Sequence, residues 1–537
     1  VSAGIALITS GAYVDQELAA EFGQMPPAFL PVGTRRLYEY QMERNPLGRP
    51  VYLTIPDTYQ PPAEDVRRLR QLGAILLAVP DGLSLGESIV FALNLIGDGD
   101  QPLWVLHGDT LIDSMPPLAL DSIGIATSTE GYSWAEVDVE GDRVVALETI
   151  AANKSDGRHR PIACGWFAFS SSTALIRVIT RARGSFVQGL RDYNKAISMH
   201  AVTTDAWYDF GHVQTFFRSR RLVASARHFN ALHIDGRTAR KSSTDAGKIR
   251  AEAHWLATVP PRLRIYTARL IDAGEDADGR AFYETEYGYL PTLSELAVFG
   301  ALGPSSWLNI LRSCEEFLST CASAVTSEPA AALLQSLVVE KTSARLREFA
   351  DQTRCDVDAR LCYDGKAMPS LMRLADDLGR HIDFGPGRRQ HVMHGDFCFS
   401  NILYDSRMQR IRVIDPRGYV ENGQPSILGD LRYDMAKLTH SIFGRYDQII
   451  AGRYQLTLTD QGGYLIEFEK TAHYDWLEAE MRRFSVDGVR ADSSEVLALT
   501  IGLFLSMLPL HSDRPDRQQA FIATALRLYD QLEQRAA

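Results

Sequence analysis

The segment His394-Gly395-Asp396-Phe397-Cys398-Phe399-Ser400-Asn401 sets a carboxylate and a carboxamide five residues apart, and Asp415 follows fourteen residues later in Val413-Ile414-Asp415. These residue types at this spacing suit phosphoryl transfer. That chemistry needs a carboxylate to orient and deprotonate the attacking hydroxyl, and hard oxygen ligands to hold magnesium on the β- and γ-phosphates. Asp396 is the expected base, and Asn401 and Asp415 are the expected magnesium ligands. Each residue alone reads as a turn or a strand-end cap; the set, in strand–loop–strand–strand order, does not. His394 is expected to support the loop by hydrogen bonding.

The same chemistry calls for a lysine on the α/β-phosphates, paired with a glutamate on the next helix. Lys241, ending Thr238-Ala239-Arg240-Lys241, and Glu252 are the candidates, with Asp245–Lys248 starting the helix that carries Glu252. The plainer reading of Lys241 is a solvated strand-end lysine. Glu284–Tyr289 is expected to be the inter-lobe hinge, so Glu284 and Tyr287 are candidate backbone contacts to a nucleotide base.

Two further aspartates stand in the first half, Asp109 in Trp104-Val105-Leu106-His107-Gly108-Asp109 and Asp209 in Trp207-Tyr208-Asp209-Phe210-Gly211-His212. An apolar strand ending in Gly-Asp puts a carboxylate at the C-terminal edge of a parallel sheet, where α/β ligands bind. A second carboxylate beside it would make a magnesium site for a nucleoside triphosphate. Taken alone, both read as strand-end and turn residues.

The elements that must position these groups fall into two patterns. Gly4–Ser10, Val51–Ile55, Ala74–Val79 and Leu103–Leu106 read as buried strands, with helices over Ala63–Leu72 and Ser88–Ile96. That alternation predicts βαβ units and a parallel sheet. From Tyr132 to Phe169 the pattern becomes hairpin-like, turning at Glu140–Asp142. The basic stretch Arg218–Arg227 is expected to be an inter-domain helix or linker. From Phe229 short strands follow around Leu232, Thr238–Ser242 and Ala281–Tyr287. Helices then dominate, broken by strand-like Gln390–His394, Ile402–Tyr404 and Ile411–Ile414.

A chain of 537 residues is too long for one core, so two or three domains are expected. The formal charge of −11 argues against a nucleic-acid partner, which needs a basic face. The six cysteines lie at no metal-type spacing and suit reduced, buried thiols of a cytoplasmic protein. The longest apolar stretches, Ile75–Pro80 and Ala498–Leu510, are too short or interrupted to span a bilayer. The oligomeric state leaves no mark.

Residues 229–537 resemble the aminoglycoside phosphotransferase and choline kinase family on His394–Asn401, Ile414–Gly418 and Gly429-Asp430-Leu431-Arg432-Tyr433-Asp434-Met435-Ala436-Lys437-Leu438. The resemblance implies that Asp396 is the base, that Asn401 and Asp415 bind magnesium, and that Asp434 anchors the helix after the metal loop. Many members have Trp after the metal-binding Asp, where this chain has Asp415-Pro416-Arg417-Gly418. Arg417 reads equally as a contact to a phosphate or anionic acceptor and as a structural salt bridge. Asp447, Asp475 and Glu478 read as solvated helix faces, or else as groups that recognise hydroxyls or an amine.

Residues 1–217 resemble the sugar-phosphate nucleotidyltransferases. Pro26-Pro27-Ala28-Phe29-Leu30-Pro31-Val32-Gly33 is similar to that family's Pro-Lys-x-Leu-Leu-Pro-Val segment, and Gly86-Glu87-Ser88 to its base-contacting turn. Leu106–Asp109 and Trp207–Gly211 match the two metal aspartates, and Cys164–Phe169 the acceptor-side strand. The family's Gly-x-Gly-x-Arg loop is here Thr9-Ser10-Gly11-Ala12-Tyr13-Val14, and its Lys is Pro27. Gly11, Gly86 and Ser88 are the implied nucleotide contacts. Arg35, Arg36 or Lys154 is expected to supply the missing charge. The alternative is a degenerate nucleotide- or sugar-binding module.

The expected fold is therefore α/β. A Rossmann-like nucleotidyltransferase sheet domain (1–225) precedes a bilobal protein-kinase-like (α+β) phosphotransferase domain (226–537, small lobe 226–291, helical lobe 292–537). The combination implies a bifunctional kinase and nucleotidyltransferase acting on a sugar, polyol or amino alcohol for surface polysaccharide. It would use Mg2+, ATP or GTP at the kinase site and an NTP such as CTP at the other. The alternative is a kinase alone with a binding module in front.

Overall fold

The computed structural model describes residues 4–536 except 45–48, 98, 115–118, 129–131, 133–134, 150–158, 205, 226–230, 331–333, 386, 419–423 and 460–462. Lys154, Arg227 and Phe229 lie outside the described residues. The chain divides into two compact units, Val1–Ala224 with Phe299–Ala301, and Ser225–Val298 with Leu302–Ala537.

The first unit is built on a nine-stranded sheet. Its parallel half runs Ala74–Val79, Val51–Pro56, Ile5–Thr9 and Leu103–His107. All five residues of Ile5–Thr9 are buried, as an apolar strand covered on both faces must be. The order then reverses: Arg160–Phe169 runs antiparallel between Leu103–His107 and Ser122–Ser128. His200–Thr203 and the hairpin Ala135–Glu140/Arg143–Thr149 complete the sheet. The sheet is thus mixed. The hairpin turns at Gly141, as the sequence predicts, with φ at +66°. The predicted helices are present as Ala63–Gln71 and Leu85–Ile96, and the basic stretch falls on Val213–Ser225.

The second unit opens with a four-stranded antiparallel sheet, ordered Ala231–Ile234, Thr238–Ser242, Ala281–Glu286, Leu270–Glu275. Leu270–Glu275 is not legible in the sequence, because five of its six residues are exposed and no apolar alternation marks it. Asp245 caps the helix Ala246–Thr258 by accepting from the Lys248 amide at 3.0 Å. The indole of Trp255 on that helix donates to the Met393 carbonyl (2.8 Å), which ties the sheet to the strand Arg389–Val392 and the loop beyond it. The remainder is mainly helical. Ser494–Ser506 is buried almost all round, so the apolar run there is a core helix. Among the described residues no helix is long and apolar enough to cross a membrane. All six cysteines are unpaired, and four are buried.

Candidate functional site

The loop 394–401 is held from beneath. Both oxygens of buried Asp434 accept backbone amides, from His394 and Gly395, each at 2.7 Å. His394 is buried and pushed down to about 4, so its ring is neutral, and its Nδ1 accepts the Asp396 amide at 3.3 Å. Phe397 stacks on Phe317 with ring centres 4.9 Å apart. At Gly395 φ is +79°, and a β-carbon would come within 2.6 Å of Arg417 Cβ, so the loop can pass Arg417 only as glycine.

Asp396 then meets Asn401 on one oxygen and Lys437 on the other. Asn401 Nδ2 donates to Oδ2 (2.7 Å) and to the Asp396 carbonyl (3.0 Å), and Lys437 Nζ lies 2.8 Å from Oδ1. Burial raises the carboxyl, but Lys437, His394 and the Asn401 hydrogen bond together outweigh it and the pKa falls to about 2. The hairpin Ile402–Asp405/Arg410–Val413 brings Asp415 back to this loop, its register fixed by Ile402 opposite Val413 and by the Ile414 amide on the Asn401 carbonyl at 3.0 Å. Asp415 has φ of +54°, a left-handed conformation that costs a non-glycine residue about 1 kcal/mol and recurs at functional sites.

From the small sheet, Lys241 Nζ reaches Glu252 at 2.8 Å and Asp415 at 3.1 Å. Burial alone would lower this ammonium; Asp415 and Glu252 prevail and hold it above its ordinary value. Tyr283, opposite Lys241 in the sheet, donates its hydroxyl to the same Asp415 oxygen at 3.2 Å. The Glu252 side chain is 2% exposed and that of Asp415 44%, so Glu252 anchors the lysine while Asp415 remains open to solvent. Lys241 is therefore a buried, doubly paired cation and not a solvated strand end. Oxygen donors from Asn401 and Asp415 fit a hard divalent cation.

Other expected residues lie elsewhere than the sequence suggests. Glu284 is inside a strand, between Arg240 and Asp272, so its backbone groups face paired neighbours and cannot reach a base. The chain leaves the sheet after Glu286, and the Tyr287 amide donates to the Arg237 carbonyl. Arg417 donates to the Tyr433 hydroxyl at 3.3 Å. Asp447 is buried and pushed up to about 6, Glu478 is ion-paired with Arg445 at 2.8 Å, and Asp475 is exposed.

In the first unit, Thr110–Ile112 pairs with Trp207–Asp209 and sets Asp209 opposite Thr110. A β-carbon on Gly211 would lie 2.6 Å from Asp109 Oδ2 and 3.3 Å from Asp209 Oδ1, so the two carboxylates converge on that glycine. Burial, then the Asp209 charge, pushes Asp109 up to about 6. A divalent ion between them would relieve both effects, and in that respect the pair fits magnesium. Among the described residues, however, no group of three His, Cys, Asp or Glu is placed to hold a metal. His212 and Thr215 donate to Asp209 Oδ2.

The basic residues expected there are engaged. Arg36 is 3% exposed and paired with Asp65 at 3.0 Å, and Arg35 forks onto Glu43. Gly86 faces the Gly184 carbonyl, where a β-carbon would sit 2.3 Å away, so it is a packing glycine and not a base contact. Gly11 and Ser88 do meet: a β-carbon on Gly11 would approach Ser88 Oγ at 2.6 Å, and that hydroxyl has no partner among the described residues.

Sequence reasoning missed Lys437 and Tyr283. Lys437 stands three residues after Asp434, one turn on along the helix Leu431–Ile442, which was the available signal. Lys437→Met removes the largest opposition to the burial of Asp396. The acid limb of kcat should then move up by at least about one pH unit, because protonated Asp396 accumulates as pH falls. A kcat–pH profile checks this.

No protein-family model matches the chain, and no curated protein matches it. Solved structures similar to it include UTP-bound UGPase from Acinetobacter baumannii (13% identity over 42% of this chain and 94% of that one, TM-score 0.31). HddC from Yersinia pseudotuberculosis is 14% identical over 41% of this chain and 99% of that one, with a TM-score of 0.31. A thermostable mutant of aminoglycoside phosphotransferase APH(4)-Ia is 17% identical over 57% and 89%, with a TM-score of 0.35. At these scores the likenesses locate no residue and add nothing to the geometry.

Proposed function

We propose that residues 226–537 form a kinase that transfers the γ-phosphoryl group of ATP or GTP to a hydroxyl of a small molecule, a sugar, polyol or amino alcohol. One observation carries this reading: Asn401 donates to Asp396 at 2.7 Å, the Ile414 amide next to Asp415 donates to the Asn401 carbonyl at 3.0 Å, and Lys241 meets Asp415 at 3.1 Å. The acceptor oxygen attacks the γ-phosphorus, the bond to the β–γ bridging oxygen breaks, and the nucleoside diphosphate leaves. With a pKa near 2, Asp396 is ionised at neutral pH; it orients the hydroxyl and takes its proton as the new O–P bond forms. Lys241 is set to hold the α/β-phosphates. Magnesium on Asn401 and Asp415 would neutralise the developing charge.

For the first unit the reading is a magnesium-dependent nucleotidyltransferase, with Asp109 and Asp209 as ligands and Gly11 and Ser88 beside the nucleotide. An oxygen of the new phosphate would attack the α-phosphorus of a nucleoside triphosphate, breaking its α–β bond and releasing pyrophosphate, as surface polysaccharide assembly requires. A second reading, a nucleotide- or sugar-binding module, is favoured by the engagement of Arg35 and Arg36, which leaves neither to stabilise a pentavalent phosphate. Incubating the full chain with each nucleoside triphosphate and a panel of sugars, polyols and amino alcohols separates the cases. Nucleoside diphosphate together with pyrophosphate, the latter lost in Asp109→Asn, supports two activities. Diphosphate alone supports the module, and neither product removes the kinase.

A further inference from the structure

Asp415 can ligate a cation well only if its carboxylate is held in one orientation, because rotation about its last side-chain bond exchanges the two oxygens. The backbone around it is fixed. The Ile414 amide donates to the Asn401 carbonyl at 3.0 Å, and the Arg417 amide donates to the His394 carbonyl at 2.8 Å. These bonds stop short of the side chain, which is 44% exposed. Two groups from the small sheet converge on its Oδ1: Lys241 Nζ at 3.1 Å and the Tyr283 hydroxyl at 3.2 Å.

The two donors are not equivalent. Lys241 is a cation with several anionic claims on it, from Glu252 at 2.8 Å, from Asp415 and, in the kinase reading, from the nucleotide phosphates. An ammonium drawn towards phosphate loosens its hold on Asp415. While it stays, it offsets part of the charge with which Asp415 would bind a cation. Tyr283 carries no such conflict. A phenol is neutral and a donor at neutral pH, and burial raises its pKa further. It therefore orients the carboxylate and leaves the full negative charge in place.

Tyr283 is also the better anchored of the two. It is 4% exposed and lies in the strand Ala281–Glu286, opposite Lys241 on one side and Ala273 on the other. A strand paired on both sides cannot shift one residue without disturbing both ladders. Lys241 Nζ, by contrast, ends a flexible aliphatic stem and lies 5.9 Å from the Tyr283 ring centre.

We infer that Tyr283 is a positioning residue for the metal, its hydroxyl pinning Oδ1 of Asp415 from the small sheet and leaving Oδ2 as the oxygen for the cation. This rests on the kinase reading above and adds to it a residue from a different element than the ligands.

Mn2+ is the probe for the test. Free Mn2+ is measured by electron paramagnetic resonance as the full chain is titrated, with the β,γ-imido analogue of ATP present and then with that of GTP. The site to follow is the one that Asp415→Asn removes, which separates it from any at Asp109 and Asp209. Tyr283→Phe deletes one oxygen and keeps the ring. It should weaken Mn2+ at that site by about 10–100-fold, the usual loss when a hydrogen bond behind a metal ligand is removed. Tyr283→Leu, which lacks ring and hydroxyl, should weaken it to a similar degree, and circular dichroism should show both variants folded. Mn2+ affinity within about threefold of the parent in Tyr283→Phe overturns the inference and leaves the kinase standing. A loss confined to Tyr283→Leu does the same, because it assigns the effect to ring packing. If Asp415→Asn removes no Mn2+ site, the inference and the metal site of the kinase reading both fall.

Discussion

Asp396→Asn should lower kcat for phosphoryl transfer by about 10³-fold, within the range for loss of a positioned base. The nucleotide KM should stay within about twofold, since Lys241 and Asp415 are untouched. The substitution keeps shape and leaves an oxygen for the Asn401 carboxamide, but it removes the charge that Lys437 faces at 2.8 Å and the acceptor proposed for the hydroxyl proton. Steady-state diphosphate release, paired with calorimetric titration of nucleotide, checks both halves. Turnover within about tenfold of the parent would show that the base has been misplaced. Equal loss of nucleotide binding would instead assign Asp396 to the metal site.

Arg432→Met should destabilise the second unit by about 3–5 kcal/mol, the cost of breaking a buried ion pair and leaving its partner charged. Arg432 is 1% exposed and forks onto Asp430, Nε to Oδ1 at 3.0 Å and Nη2 to Oδ2 at 2.7 Å. Its Nη1 donates to the Asp383 carbonyl (2.8 Å) and to Glu495 (2.9 Å). Asp430 also caps the helix Leu431–Ile442, which carries Asp434 and Lys437, so the network sets the platform under the loop 394–401. The measurement is the urea midpoint of the transition that also abolishes phosphoryl transfer. Adding Asp430→Asn to Arg432→Met should recover part of the loss, because no uncompensated carboxylate then remains. A shift below about 1 kcal/mol would mean that water reaches the pair.

The sequence by itself determined that Asp396 and Asn401 share one loop, because a carboxylate and a carboxamide five residues apart sit together wherever that loop goes. It also determined the strands Ile5–Thr9, Val51–Pro56, Ala74–Val79 and Leu103–His107, since continuous apolar runs leave no other placement. Exposed edges such as Leu270–Glu275 carry no such signal. Nor does the four-stranded sheet of Leu361–Tyr363, Lys366–Met368, Gln455–Leu458 and Gly463–Glu467, whose strands lie about a hundred residues apart in the chain.

Tertiary structure alone decided which charges meet. Lys437 joins Asp396 across forty-one residues, and Lys241 joins Asp415 across more than a hundred and seventy. The ionisation of Asp396 therefore arises from folding. Likewise, Arg36 is consumed by Asp65 and Gly86 by Gly184, which no reading of neighbouring residues shows. Pairing over such separations depends on which buried surfaces coincide, whereas motif chemistry depends only on residues adjacent in the chain.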